Sequence, residues 1–295
     1  MHEVECLWQA RTVLGEGPVW VPRLDTLLFV DIDASRLLSW RRGDARQREW
    51  SLPEACCWLI ERADGDGFLA GLRSRIVHLQ LDDAGPRVVS EWARPEAHLP
   101  GNRFNDAKAD AQGRVWAGTM DNSEKAVSGS LYRIDGRELL RVDHPYGIAN
   151  GPAFSPDGRT LYHTDTAART IYAFDCSPEG ELGARRAHLR FEGDEGYPDG
   201  MCCDADGGLW VAHFGGSRVS RFTPDGRLDR RIALPASQVT SCAFGGEGLG
   251  ELYVTTASRG RDDEPLAGAL FRLHPGVRGL PPGRFGKAGS QETPR

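Results

Sequence analysis

The sequence predicts an all-β fold, a six-bladed β-propeller closed by an N-terminal strand. Three observations carry this. A turn rich in Asp and Gly followed by a short strand recurs six times, the copies are spaced at a blade-sized period, and no segment shows a sustained apolar stripe of 3.6-residue period.

The six copies occupy residues 25–30, 64–70, 112–117, 157–162, 206–211 and 248–254. Each carries an aromatic: Phe29, Phe68, Trp116, Tyr162, Trp210 and Tyr253. Successive aromatics are 39, 48, 46, 48 and 43 residues apart, enough for four strands and their turns. A second strand recurs with period-two alternation at residues 130–135, 170–175, 219–223 and 269–273. That pattern packs one face on a neighbouring layer. Six units in series leave two ends, so residues 3–8 are expected to complete the last blade and remove the open edge. Residues 1–286 read as one propeller domain and residues 287–295, without apolar anchors, as a flexible tail.

Composition agrees. The 36 glycines among 295 residues exceed the usual share of about 7% and are dispersed, as many tight turns require. The seven cysteines include two adjacent pairs and no Cys-x-x-Cys spacing, so they read as reduced, mostly buried thiols. A net charge of −6 argues against a nucleic-acid surface, which needs a basic stripe. No run suits a membrane span or a signal peptide, so the expectation is a cytoplasmic protein, a monomer or weak homo-oligomer, with no nucleic-acid or membrane partner.

Innermost strands of a propeller bring equivalent residues of different blades to one mouth. Eleven to thirteen residues before the reference aromatics, just ahead of the strands taken as innermost, stand Glu16, Cys57, Asn105, Asn150, Asp199 and Ser241. Four of the six are carboxylates or amides. Glu16, Asn150 and Asp199 are each followed by Gly and flanked by Pro, which fixes a turn where backbone can approach a ligand. Singly, such residues are ordinary turn formers. Recurring in register, two carboxylates and an amide would repel one another without a cation, and the all-oxygen set suits one divalent metal ion. Ca²⁺ comes first, with Mg²⁺, Mn²⁺, Zn²⁺ and Fe²⁺ as alternatives.

At these residues the chain resembles the SMP-30/gluconolactonase/regucalcin-like family, in its bacterial sugar-acid lactonase branch. The matching stretches are Leu14-Gly15-Glu16-Gly17-Pro18, Asn102-Arg103-Phe104-Asn105-Asp106, Trp116-Ala117-Gly118-Thr119-Met120, Asn150-Gly151-Pro152 and Tyr197-Pro198-Asp199-Gly200. The resemblance spans residues 3–286 and implies a divalent metal on Glu16, Asn150 and Asp199, with substrate contacts at Arg103 and Asn105. It implies a sugar-lactone substrate such as a pentono- or gluconolactone. Where family members often carry a hydroxyl-binding Glu, this chain has Ser123, leaving Asp121, Asn122 or Glu124 as substitutes.

The mechanism expected from these residues makes Asp199 the general base as well as a ligand. Arg103 grips ring oxygens or the emerging carboxylate, and Asn105 orients water or a sugar hydroxyl. His144, His163 and His213 fall outside the mouth register, and Cys57 reads as a buried thiol narrowing the channel. Two other classes share the scaffold: another metal-dependent ester or phosphotriester hydrolase, and a non-catalytic calcium- or sugar-binding propeller.

Overall fold

The structure, a computed structural model, describes residues 4–65 and 67–286. The expected tail at 287–295 and Glu3 of the closing strand lie outside these residues. Six four-stranded antiparallel sheets follow one another along the chain. Blade 1 contains β2 (Gly15–Val21), β3 (Thr26–Asp31), β4 (Arg36–Arg41) and β5 (Arg46–Ser51). Blade 2 contains β6 (Cys56–Glu61), β7 (Phe68–Leu72), β8 (Arg75–Asp82) and β9 (Gly85–Ala93). Blade 3 contains β10 (Asn102–Ala109), β11 (Val115–Asp121), β12 (Gly129–Asp135) and β13 (Glu138–Tyr146).

Blade 4 contains β14 (Ala149–Phe154), β15 (Thr160–Asp165), β16 (Thr170–Asp175) and β17 (Arg186–Arg190). Blade 5 contains β18 (Tyr197–Cys203), β19 (Leu209–Phe214), β20 (Arg218–Phe222) and β21 (Leu228–Ala233). Blade 6 joins both ends of the chain: β22 (Val239–Gly245), β23 (Glu251–Thr256), β24 (Leu270–Leu273) and β1 (Val4–Trp8). β1 pairs antiparallel with β24, Glu5 facing Arg272 and Cys6 facing Phe271. The first strand of each blade touches the first strands of both neighbours, β2 meeting β6 on one side and β22 on the other, so the ring is complete.

Burial falls from the channel outward. Every residue of β3 is buried, whereas β5 alternates exposed and half-buried positions. The outer strands are correspondingly charged, with Arg46, Arg48 and Glu49 on β5 and Asp229, Arg230 and Arg231 on β21, which discourages edge-to-edge pairing. In blades 3 and 5 the repeat aromatic is fixed by a buried carboxylate six residues earlier. Trp116 Nε1 donates to Asp110 at 2.9 Å and Trp210 Nε1 to Asp204 at 2.8 Å. Each carboxylate also faces an arginine, Arg114 and Arg221, at 2.6 Å.

One expectation is corrected here. The strands that carry the repeat aromatics are second, not innermost, in their blades. The polar residues counted back from them do not precede the innermost strands but lie on them, within the first four residues of β2, β6, β10, β14, β18 and β22. The miss has a physical source: in a hairpin a fixed count backward crosses the turn and returns along the preceding strand. The innermost strands run in the same sense, so these residues gather at one end of the channel.

Candidate functional site

Each innermost strand is irregular where the register residue sits. The pairing slips between Glu16 and Val19, Cys56 and Trp58, Phe104 and Ala107, Asn150 and Ala153, Pro198 and Met201, and Val239 and Ser241. An extra residue bends a strand and re-aims its side chains, here at six matched places. Gly17 and Gly151 supply the backbone, with φ of +52° and +39°, conformations that cost a side chain strain.

The bulges bring Glu16, Asn150 and Asp199 together, all buried. Asn150 Nδ2 donates to Asp199 Oδ1 across the blade 4–blade 5 boundary. Asn150 Oδ1 accepts the Gly151 N–H at 3.0 Å, and Glu16 Oε2 accepts the Gly17 N–H at 2.9 Å. Thr166 supports the pair, donating through Oγ1 to the Pro198 carbonyl at 2.8 Å and accepting from Asn150 Nδ2 at 3.4 Å.

Arg103 is buried at the same end. Its Nη1 donates to Asn105 Oδ1 at 2.7 Å and to the Phe104 carbonyl at 2.8 Å. Asn105 Nδ2 in turn donates to the Ala149 carbonyl at 2.9 Å. Cys57 is wholly buried beside Arg103, and burial pushes its thiol up to about 11, so it is a neutral group at neutral pH.

Sequence reasoning passed over Asp106. It occupies the second place of the two-residue bulge that carries Asn105, and it is buried. Oδ1 accepts the Ala107 N–H at 2.7 Å, while Oδ2 is buried without a partner. One residue per blade was counted, whereas a bulge sets two against one; the Asn105-Asp106 pair was the available signal.

Burial and then the Asp106 charge push Glu16 up to about 8. Asp199 is raised by burial and then by Glu16 and Asp106, against its bond from Asn150. Asp106 is raised by burial, with Lys108 opposing. Unlike Asp110 and Asp204, none of the three has an arginine or lysine ion pair among the described residues. The centre is therefore a buried acidic cluster that Arg103 and Lys108 oppose at a distance without an ion pair, a setting that favours a cation. Among the described residues no group of three or more His, Cys, Asp or Glu side chains is arranged to hold a metal.

The remaining candidates sit on the rim. Asp121 caps its own loop, accepting from Ser123 Oγ at 2.6 Å and from the backbone N–H of Ser123, Lys125 and Ala126. These donors hold its carboxyl well below the usual range. Asn122 is exposed beside it. Glu124 accepts from Arg259 at 3.5 Å, and Arg259 also donates to Asp33 at 2.9 Å, joining loops of blades 3, 6 and 1. His163 and His213 are fully buried, with burial pushing them down to about 3 and about 4. A cavity of about 640 Å³ opens at the other end of the channel, walled by Lys108, Phe154, Phe244 and Leu280 among others; Glu16, Asn150 and Asp199 do not line it.

Fold and site define a six-bladed propeller with a buried acidic centre at one mouth of its channel. The chain belongs to the SMP-30/gluconolactonase/LRE-like family, whose model matches residues 14–258. It is 35% identical over 297 residues to regucalcin of Gallus gallus, covering 96% of this chain and 98% of that one. It is 36% identical over 285 residues to 6-deoxy-6-sulfogluconolactonase of Pseudomonas putida, covering 94% and 96%. A solved structure described as the calcium-binding protein regucalcin from Agrobacterium tumefaciens superposes with a TM-score of 0.90 at 28% identity, covering 97% of this chain and 98% of that one.

Proposed function

We propose that the chain hydrolyses the ester bond of a sugar-acid lactone, using one divalent cation held by Glu16, Asn150 and Asp199. The observation that supports this is the convergence of two buried carboxylates and an amide on three matched bulges, with no arginine or lysine ion pair to either carboxylate among the described residues. The family, and the lactonase named among its relatives, supply the substrate class. Oxygen donors suit Ca²⁺, Mg²⁺ or Mn²⁺, with Zn²⁺ and Fe²⁺ as alternatives, and the calcium-binding description of the Agrobacterium protein puts Ca²⁺ first.

A divalent ion bound there supplies Lewis acidity toward an ester carbonyl and lowers the pKa of water. The protein's own groups do the rest. Asp199 takes the proton from the attacking water and returns it to the ring oxygen as the bond between that oxygen and the carbonyl carbon breaks. Glu16 and Asn150 would hold the ion. Arg103, fixed by Asn105, grips the ring oxygen and then the carboxylate that forms. Asn105 therefore acts first through Arg103, and only its second N–H and spare lone pair remain for a hydroxyl or water. Asp121, with its oxygens engaged by its own loop, and Asn122 stand at the rim, where they meet the far end of a sugar. In this reading the enzyme works in the cytoplasm, where its seven unbridged cysteines stay reduced, as a monomer or weak homo-oligomer.

The test follows acid release from a panel of five- and six-carbon lactones, with and without chelator. Hydrolysis that chelator abolishes and added metal restores supports the proposal. Tightly bound metal without hydrolysis moves the chain to the binding-protein class.

A further inference from the structure

A contact between two sulfurs crosses the boundary of blades 5 and 6. Cys202 on β18 and Cys242 on β22 hold their Sγ atoms 3.6 Å apart, although 40 residues separate them in the chain. The strands themselves are close. β18 packs on β22, and a Cβ added at Gly200 would lie 2.9 Å from the Ser241 Cα, so the two backbones nearly touch one residue before Cys242. Disulfides join backbones whose Cα atoms are about 4.4–6.8 Å apart, and strands in this contact are near enough to be joined.

The two thiols differ in access. Cys202 is partly exposed and lines the cavity of about 640 Å³ at the other end of the channel, whereas Cys242 is wholly buried. Cys242 Sγ donates to the Trp210 carbonyl at 3.6 Å. Its one hydrogen is thus spent there, and its lone pairs are free to face Cys202. Cys56 and Cys176 donate instead to backbone carbonyls of their own strand or turn, those of Trp58 and Ser177. Burial and the adjoining Cys242 raise the Cys202 thiol, with Lys108 opposing. In a reducing compartment the pair therefore rests as thiols, and its oxidation is slow.

We infer that Cys202 and Cys242 are an oxidisable pair whose disulfide braces the innermost strands of blades 5 and 6, three residues along β18 from Asp199. The oxidant is a hydroperoxide small enough to enter the cavity, hydrogen peroxide being the simplest. The Cys202 thiolate attacks one peroxide oxygen, the O–O bond breaks, and the departing hydroxide takes up the thiol proton as water. Cys202 is then a sulfenic acid. The Cys242 sulfur attacks the Cys202 sulfur, the S–S bond forms as the S–O bond breaks, and the Cys242 proton leaves with the hydroxyl as a second water. In all, two thiols lose two electrons and two protons, and one peroxide becomes two waters. The bridge closes a loop of 40 residues, which restricts the unfolded chain and so resists unfolding. None of this depends on the lactonase reading.

The experiment exposes the reduced wild-type chain to excess hydrogen peroxide, alkylates the remaining thiols in denaturant and maps the peptides by mass. The expected main cysteine product is a peptide pair joined through Cys202 and Cys242, lighter by two hydrogens than its reduced parts and released by a thiol reductant. Oxidised wild type should melt about 4 °C or more above the reduced form, reversibly. Cys242→Ala, and separately Cys202→Ala, should show no such rise. Recovery of Cys202 and Cys242 as alkylated thiols, as sulfinic acids or bridged to other cysteines overturns the inference on the wild-type chain alone. A Cys202–Cys242 bridge that leaves the melting temperature unchanged overturns the brace.

Discussion

Asn105 binds Arg103 to the next blade. Its Oδ1 accepts from Arg103 Nη1 at 2.7 Å while its Nδ2 donates to the Ala149 carbonyl at 2.9 Å. Asn105→Ala removes both bonds inside a buried site. It should cost about 1–3 kcal/mol of stability, the usual penalty for stranded buried polar groups. It should also lower kcat/KM by about tenfold or more as Arg103 loses its aim. Denaturant unfolding and steady-state kinetics check the two effects. A variant with wild-type kcat/KM shows that Arg103 needs no such support.

Stability of the metal-stripped protein should fall as pH rises. The ordinary value for Glu16 is 4.5 and its folded value is about 8. Between the two the folded state keeps a proton that the unfolded chain has released, and the linkage relation then makes stability decrease with pH. The contribution is fully present below about 4.5 and is lost as pH passes through about 8. Tm measured from pH 5 to 8 should decline in stripped protein, decline less in Glu16→Gln, and recover most on metal addition at the upper end. Equal slopes for Glu16→Gln and wild type would remove Glu16 from the cluster.

Gly151→Ala should do more than strain one residue. The position has φ of +39°, and a Cβ there would lie 2.9 Å from the Met201 nitrogen and 3.1 Å from the Asp199 carbonyl oxygen. Loss of about 1–3 kcal/mol is expected, together with weaker metal binding, because the collision pushes Asp199 from Asn150. Gly136 has φ of +53° with nothing near its would-be Cβ, so Gly136→Ala should lose stability without losing metal affinity. Calorimetric titration of both variants separates the outcomes.

Arg221→Met tests the opposite kind of buried carboxylate. It strands Asp204, which is wholly buried and held by Arg221 at 2.6 Å. About 3–5 kcal/mol should be lost, with metal affinity retained because Asp204 holds Trp210 in blade 5 and stands apart from the cluster. Denaturant titration beside metal titration checks both halves.

Much of this molecule was legible as sequence because a propeller writes its architecture locally. The aromatics from Phe29 to Tyr253 count the blades, and the closing strand follows from the unpaired end that six repeats leave. Glu16, Asn150 and Asp199 share an offset because each blade turns its chain the same way. What escaped depends on geometry that counting cannot carry. Asp106 enters through a bulge, which sets two residues against one, so a count of one residue per blade passes over it although it adjoins Asn105. The Asp33–Arg259–Glu124 linkage spans 226 and 135 residues of separation and follows only from ring closure. Asp121 looks like a free carboxylate in sequence, and its loop consumes it.

Asp199 is given two duties, ion ligand and base. Asp199→Asn keeps the shape and an oxygen but cannot take a proton, so turnover should fall below a few per cent of wild type. Survival of substantial activity in this variant would assign the base elsewhere, with Asp106, whose Oδ2 has no hydrogen-bond partner, the next candidate.

The most direct measurement titrates Ca²⁺ calorimetrically into stripped wild-type protein and into Glu16→Gln, Asn150→Ala and Asp199→Asn, each first shown to fold. The account predicts one ion per wild-type chain and affinity weakened at least tenfold in all three variants. Undiminished binding in the variants, or no binding of any divalent ion by the wild type, would contradict it.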